Sequence, residues 1–226
     1  MEQPGRLQKV TSLAHRLLFL DGILFIPLVA LLASSTRITR GISCGHDFEF
    51  HLISWLEAQR SWRQGVLYPH WAQTPNWGAG EARFVFYPPL TWVLGAALGC
   101  LISWEWVPAT LIFLSLTAVG LTTRALARQF LPTPVATLAG VLAAATPYSL
   151  FTAYERSAFS ELAAAAWIPL ILLFAWRQTQ TAASPGSKAI HGTTQLQRAF
   201  DGSTGALALI LAAVWLTNAP AGVMAS

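Results

Sequence analysis

The sequence predicts an all-α integral membrane protein, a multi-span helical bundle with a long first extracytoplasmic loop that contains an amphipathic interfacial helix. Three observations predict it. Apolar residues make up 54% of the chain and charged residues only 11%, against roughly 25% charged in an ordinary soluble domain. The apolar residues are gathered into runs near the ~20 residues a membrane-crossing helix needs, rather than dispersed at the period of a soluble core. The one long polar interruption, 36–87, ends in "GVLYPHWAQTPNWGAGEARFVFY", which is rich in Trp, Tyr, Phe, Gly, Pro and Asn and has little of the charge of a solvated linker. The net charge of +4 comes from arginines in connecting segments; with no lysine-rich tract or basic stripe, no nucleic-acid partner is expected. Cys44 and Cys100 fall at different expected depths, so they imply neither a disulfide framework nor a metal quartet.

Residues 1–16, carrying Arg6, Lys9 and Arg16, read as a cytoplasmic N-terminus. The first span, 17–35, is interrupted only by Asp21, which can snorkel or pair with Arg16 or Arg6. Its length and weak cleavage signal favour a retained span over a signal peptide. After the loop at 36–87, the stretch 88–176 holds about four apolar helical segments, at 88–104, 107–123, 134–150 and 160–176. Pro147 and Pro169 fall in or beside these runs, and Pro220 beside the last, where neighbouring helices can satisfy the freed carbonyls. A Gln/Thr/Ser/Gly-rich loop at 177–203 reads as disordered. The last helix, 204–226, ends without a charged anchor, which predicts that the chain is the N-terminal part of a longer protein.

Lysine and arginine favour the cytoplasmic side. With every run crossing and the N-terminus inside, Arg6, Lys9, Arg16 and Arg156 are inside and the other ten outside, against the rule. If 88–104 is instead re-entrant or interfacial, Arg124, Arg128, Arg177, Lys188 and Arg198 move inside, and the Glu155 segment joins the side of the Asp47 loop. A fully inverted chain satisfies the count best, so charge alone leaves the orientation open.

Within the loop, 48–64 places Phe48, Leu52, Trp55, Leu56 and Trp62 on one helical face, with Glu57, Arg60, Ser61 and Gln64 elsewhere. Such a helix can lie on a membrane surface. Asp47 stands at its N-cap position, and one reading is that it does no more than cap the helix. Equally, Asp47 and His51 are four apart and can approach each other across the first turn. An aspartate beside an imidazole can orient a base, accept a proton or ligate a divalent cation. The aromatic and amide residues that follow suit a sugar ring, or an interfacial belt. Gly78 and Gly80 permit a tight turn. In "YERSAFSE", 154–161, Glu155 or Arg156 can bind phosphate or a cation; alternatively, Ser157 or Ser160 caps a helix with Glu161 in its first turns.

Taken in order, "GHDFEFH", the amphipathic segment, "GVLYPHW", "NWGAG", "FVFYPPL" and "YERSAFSELAAAAWIPLILL" resemble the N-terminal part of large bacterial membrane proteins of the GT-C glycosyltransferase type. Some relatives of that kind are labelled "6-pyruvoyl-tetrahydropterin synthase-related". The resemblance implies a GT-C-like fold in the bacterial cytoplasmic (inner) membrane, multi-pass. It also implies transfer of a sugar from a polyprenyl-phosphate-linked donor to an extracytoplasmic acceptor, with membrane lipid as a partner. A missing C-terminal part or other membrane subunits would complete the site. Carried onto this chain, the catalytic acidic residue is Asp47, with His46 and His51 beside it; it would deprotonate the acceptor or hold a divalent cation, Mg or Mn. Asn76, Trp77 and Tyr87 would contact substrate together with Glu155, and Arg156 or Arg83 would neutralise the departing phosphate. The alternative is a non-catalytic scaffold or lipid-binding membrane protein. A transporter fits less well, because embedded charges are few and no inverted repeat is visible.

Overall fold

The computed structural model describes residues 22–37, 39, 40, 45–183 and 202–225, and every regular element among them is a helix. α1 covers Gly22–Arg37; the start of the span expected at 17–35, with Asp21, Arg16, Lys9 and Arg6, lies outside the described residues, as does Cys44. α2 is Phe48–Arg63, α3 Arg83–Phe86, α4 Pro89–Leu101, α5 Val107–Ala127 and α6 Thr133–Ala144. α7, Pro147–Phe151, leads into a π-helical turn, Thr152–Arg156. α8 is Phe159–Ala164, α9 Trp167–Ala183, α10 Gly202–Thr217 and α11 Ala219–Ala225.

Three stretches are long and apolar enough to cross a membrane: Val107–Ala127, Thr133–Arg156 and Phe159–Gln180. Gly22–Arg37, Pro89–Leu101 and Thr204–Thr217 are apolar but shorter. Prolines set several of the boundaries. Pro89, Pro108, Pro134 and Pro147 each stand at the first or second helical position, where a missing N–H costs nothing and the fixed φ suits the helix. The run expected as one helix over 134–150 is therefore broken: α6 stops at Ala144, and Pro147 begins α7. The polar stretch expected to begin a loop at Arg177 instead continues α9 to Ala183; the rest of that loop, 184–201, lies outside the described residues.

α5 and α6 run antiparallel with their backbones in close approach. A Cβ at Gly120 would sit 2.9 Å from the Gly140 carbonyl oxygen, and one at Gly140 2.5 Å from that of Gly120, so only glycine lets the helices meet there. Ile26 of α1 lies against the same seam. Trp55, Phe84, Phe159, Ile112, Leu116 and Leu162 are fully buried, each contributing roughly 1.5–3 kcal/mol relative to exposure in water.

The molecule has two ends. The Arg124 Nε donates to Thr137 Oγ1 at 3.0 Å, which fixes the C-terminal end of α5 beside the start of α6. The opposite end is marked by Arg156, reached from Thr137 through the rest of α6, α7 and the π-helical turn. α4 begins at the same place as Asp47, with Thr91 and Trp92 beside it, and lies along α2, its Gly95 against Trp55. It is 13 residues long, short against a ~30 Å bilayer core, and five residues after it α5 sets out towards the arginine end.

α2 is turned differently from its apolar pattern. Of the residues expected on one apolar face, Phe48 and Trp55 are buried and Leu56 is exposed, whereas Glu57, expected elsewhere, is buried beside Trp55 and Ala58. The reason is tertiary: the following loop presents hydrogen-bond donors to Glu57 and draws it inward.

Candidate functional site

The two polar clusters, more than a hundred positions apart in the chain, meet. Asp47 N–H donates to the Arg156 carbonyl at 2.9 Å, and Phe48 N–H closes a turn on the Gly45 carbonyl at 3.1 Å. A side chain at Gly45 would lie 2.6 Å from the Glu155 carbonyl oxygen, so the turn docks only because position 45 is glycine. From the other side Arg37, buried at the end of α1, donates to the Ala153 carbonyl at 2.7 Å and to Ser157 Oγ at 2.8 Å. Its guanidinium also lies over the Phe48 and Tyr154 rings. These bonds hold Ser157 in a left-handed conformation, φ 53°, which costs about 1–2 kcal/mol for a residue with a Cβ.

Neither cap reading describes this junction. Asp47 stands at the N-cap of α2, but its side chain makes no cap hydrogen bond and its φ −97°, ψ 3° is not the extended geometry that lets a cap reach back. α8 is preceded by Ala158, again without a side-chain cap. Ser157 is instead occupied with Arg37, while Glu161 does fall in the first turn of α8.

Asp47 lines a cavity of about 290 Å³, together with His51 and Ser54 of α2, Tyr87, Thr91 and Trp92 at the start of α4, Ser160 of α8, and residues 217–220 at the break between α10 and α11. Asp47 is the one carboxylate in that lining. His51 is packed edge-on against Phe159 at 5.3 Å and stacked on Trp55 at 6.1 Å. Burial first, and the nearby Arg83 cation second, lower its pKa to about 4, so at neutral pH it is an uncharged imidazole with a lone pair. The Thr91 hydroxyl and Trp92 indole N–H are buried without a hydrogen-bond partner among the described residues.

Of the other candidates, His46 is exposed in the turn and Glu155 is exposed beyond it. Arg156 pairs with Glu161 at 2.6 Å, and Glu161 also accepts from the Tyr148 hydroxyl. Arg83 pairs with Glu81, donates to the Phe50 carbonyl at 2.9 Å and Ser54 Oγ at 3.2 Å, and lies 4.2 Å over the Phe50 ring. It ties the loop to α2. Asn76 and Trp77 sit at the loop tip, both at positive φ, and Trp77 is completely exposed; Asn76 Nδ2 donates to the Gly80 carbonyl at 3.1 Å. Gly78 and Gly80 carry the expected turn at positive φ. Asp47, His51 and Tyr87 thus share the cavity, while His46, Asn76, Trp77, Arg83, Glu155 and Arg156 are outside its lining.

Sequence reasoning missed Glu57, Arg37 and the Thr91–Trp92 pair. Glu57 accepts from Gln73 N–H at 3.1 Å, Thr74 N–H at 3.0 Å and the Thr74 hydroxyl. Burial alone would raise its pKa, but these bonds and Arg60 bring it below the usual value. A lone glutamate on a polar face carries no signal of this in the sequence. Arg37 follows an apolar run and reads as a topological charge, and Thr91 and Trp92 read as ordinary members of an apolar run.

Among the described residues, no group of three or more His, Cys, Asp and Glu gathers as a protein-built metal site would. A divalent cation at Asp47 would have this one carboxylate from the cavity lining. No family model, curated protein or solved structure matches the chain.

Proposed function

We propose that the chain belongs to a GT-C-like membrane glycosyltransferase of the bacterial inner membrane, transferring a sugar from a polyprenyl-phosphate donor to an extracytoplasmic acceptor. The observation that carries this reading is the placement of Asp47: its carboxylate, free of any cap bond, lines a cavity with a neutral His51. In this reading Asp47 takes the proton from an acceptor hydroxyl as that oxygen bonds to the sugar C1 and the bond from C1 to the donor phosphate breaks. His51 accepts a hydrogen bond from the acceptor and adds no charge. Arg156, whose carbonyl holds the Asp47 N–H and whose guanidinium pairs with Glu161, neutralises the departing phosphate. Arg83 is bound into the loop, which leaves this role to Arg156. A divalent cation, when bound, would add charge neutralisation at the phosphate.

The test is Asp47→Asn in the full chain, assayed in membranes with radiolabelled polyprenyl-phosphate hexoses. Transfer should fall by about 10²–10⁴ with the melting temperature unchanged, the range for a lost general base. Undiminished transfer would favour the second reading, a lipid-binding or scaffolding protein. That reading draws on the exposed Leu67, Trp71, Trp77 and Phe86 of the loop, which suit a headgroup-level belt.

A further inference from the structure

Thr91 and Trp92, the third and fourth residues of α4, line the Asp47 cavity and are each only 4% exposed. The Thr91 hydroxyl and the Trp92 indole N–H have no hydrogen-bond partner among the described residues. Hydroxyls elsewhere on the helices turn back to the carbonyl four residues earlier, as those of Ser34, Ser61, Thr122 and Thr137 do. Even within the same lining, Ser54 Oγ donates to the Phe50 carbonyl at 2.6 Å, Thr217 Oγ1 donates to the Ala213 carbonyl at 2.6 Å, and Asn218 Oδ1 accepts from Ala221 N–H at 3.0 Å. Thr91 and Trp92 stand apart from these, with buried polar atoms at the cavity wall and nothing in the chain to pair them. The indole is held in place: Tyr68 and Phe84 pack edge-on against it, with ring centroids 5.4 and 5.0 Å away.

A buried polar atom without a partner costs folding free energy, which a ligand recovers by supplying the missing atom. Trp92 Nε1 only donates, so it needs an oxygen, whereas the Thr91 hydroxyl both donates and accepts. A ligand hydroxyl satisfies either. The charge of the wall narrows the ligand further: Asp47 is its one carboxylate, no lysine or arginine lines it, and His51 is uncharged at neutral pH. An anionic group would be repelled there and would find no cation in the lining. The space of about 290 Å³, walled in part by the rings of Phe50, Tyr87 and Trp92, stands at the small end of ligand pockets, about 300–1,000 Å³. We infer that Thr91 and Trp92 select the sugar, each taking a hydroxyl of an uncharged hexose: the indole N–H donates to one hydroxyl oxygen, and Thr91 Oγ1 accepts from another. They are specificity-determining residues for the donor, and the inference rests on the reading that the Asp47 cavity holds a sugar.

Thermal unfolding of the full chain in a detergent without a sugar headgroup reads the selection without requiring transfer. The ligands are polyprenyl-phosphate glucose, mannose and galactose, with sugar-free polyprenyl phosphate as the reference. Wild type should bind one of the hexose lipids about tenfold or more tightly than the other two and than the reference. Thr91→Val, which replaces the hydroxyl by a methyl of the same shape, should reduce that preference about tenfold. It should leave the unliganded melting temperature unchanged or raised, because the hydroxyl it removes has no partner in the free protein. Thr91→Ser, which keeps the hydroxyl, should keep the preference, and Trp92→Phe, which removes the N–H, should weaken it. A preference untouched by Thr91→Val would overturn the inference, as would a lower unliganded melting temperature in that variant, which would show the hydroxyl already paired. Binding of all three hexose lipids equally, above the reference, would overturn this inference alone. Binding of none above the reference would sink it together with the sugar reading on which it rests.

Discussion

His51 stands four residues after Asp47 on α2, yet the two side chains differ in what surrounds them. The turn leaves Asp47 beside open cavity, whereas Phe159, Trp55 and Phe50 enclose the imidazole. Because burial depresses the folded-state pKa of His51 to about 4, the unfolded chain binds its proton at higher pH than the folded one. Stability should therefore be intact above the ordinary histidine range, near 6.5, and fall as pH drops from there towards 4. Thermal unfolding in detergent across that window should show the decline, and His51→Phe should flatten it; an unchanged slope would mean that the imidazole is not desolvated. That Asp47 and His51 fall on the same turn of α2 was legible in their spacing. The neutral state of His51 was not, because Phe159, which encloses it, arrives from another part of the chain. The same holds for Asp47: its N-cap position could be read from the sequence, but the backbone angles that withhold the cap bond come from docking on Arg156.

The helices were legible as apolar runs, and their ends much less so. Proline explains part of the difference, since a residue tolerated inside an apolar run by hydropathy acts in this chain as a helix start, as at Pro147. Side-chain length explains another part. Nothing in the apolar runs singles out Gly120 and Gly140 from other small residues, but between α5 and α6 each faces the other's carbonyl. Gly140→Val should force the helices apart and destabilise the protein by about 1–3 kcal/mol, the usual cost of overpacking. Gly205→Ala, where an added Cβ meets nothing, serves as the matched control. If both variants melt like wild type in detergent, the seam is looser than its geometry indicates.

For the whole molecule, the docking of the Asp47 turn on Arg156 puts the loop and the Glu155 segment at one end, while Arg124, Arg128 and Arg177 meet where α5 finishes at the other. Single cysteines at Asn76 and Glu155, in a background lacking Cys44 and Cys100, should react with an impermeant reagent from the same side of the membrane. One at Gln129 should react only from the other. Labelling of all three from one side would sink the two-ended arrangement. By itself, the sequence determined that the chain is helical and rich in stretches apolar enough for a membrane, because composition and run length act locally and need no partner. It also singled out the segments holding Asp47 and Arg156, since polar residues between apolar runs stand out. Only the tertiary structure decided that those segments touch, that Glu57 faces inward and that Arg37 braces the junction. Each of these rests on a hydrogen bond to residues distant in sequence, which no local pattern encodes.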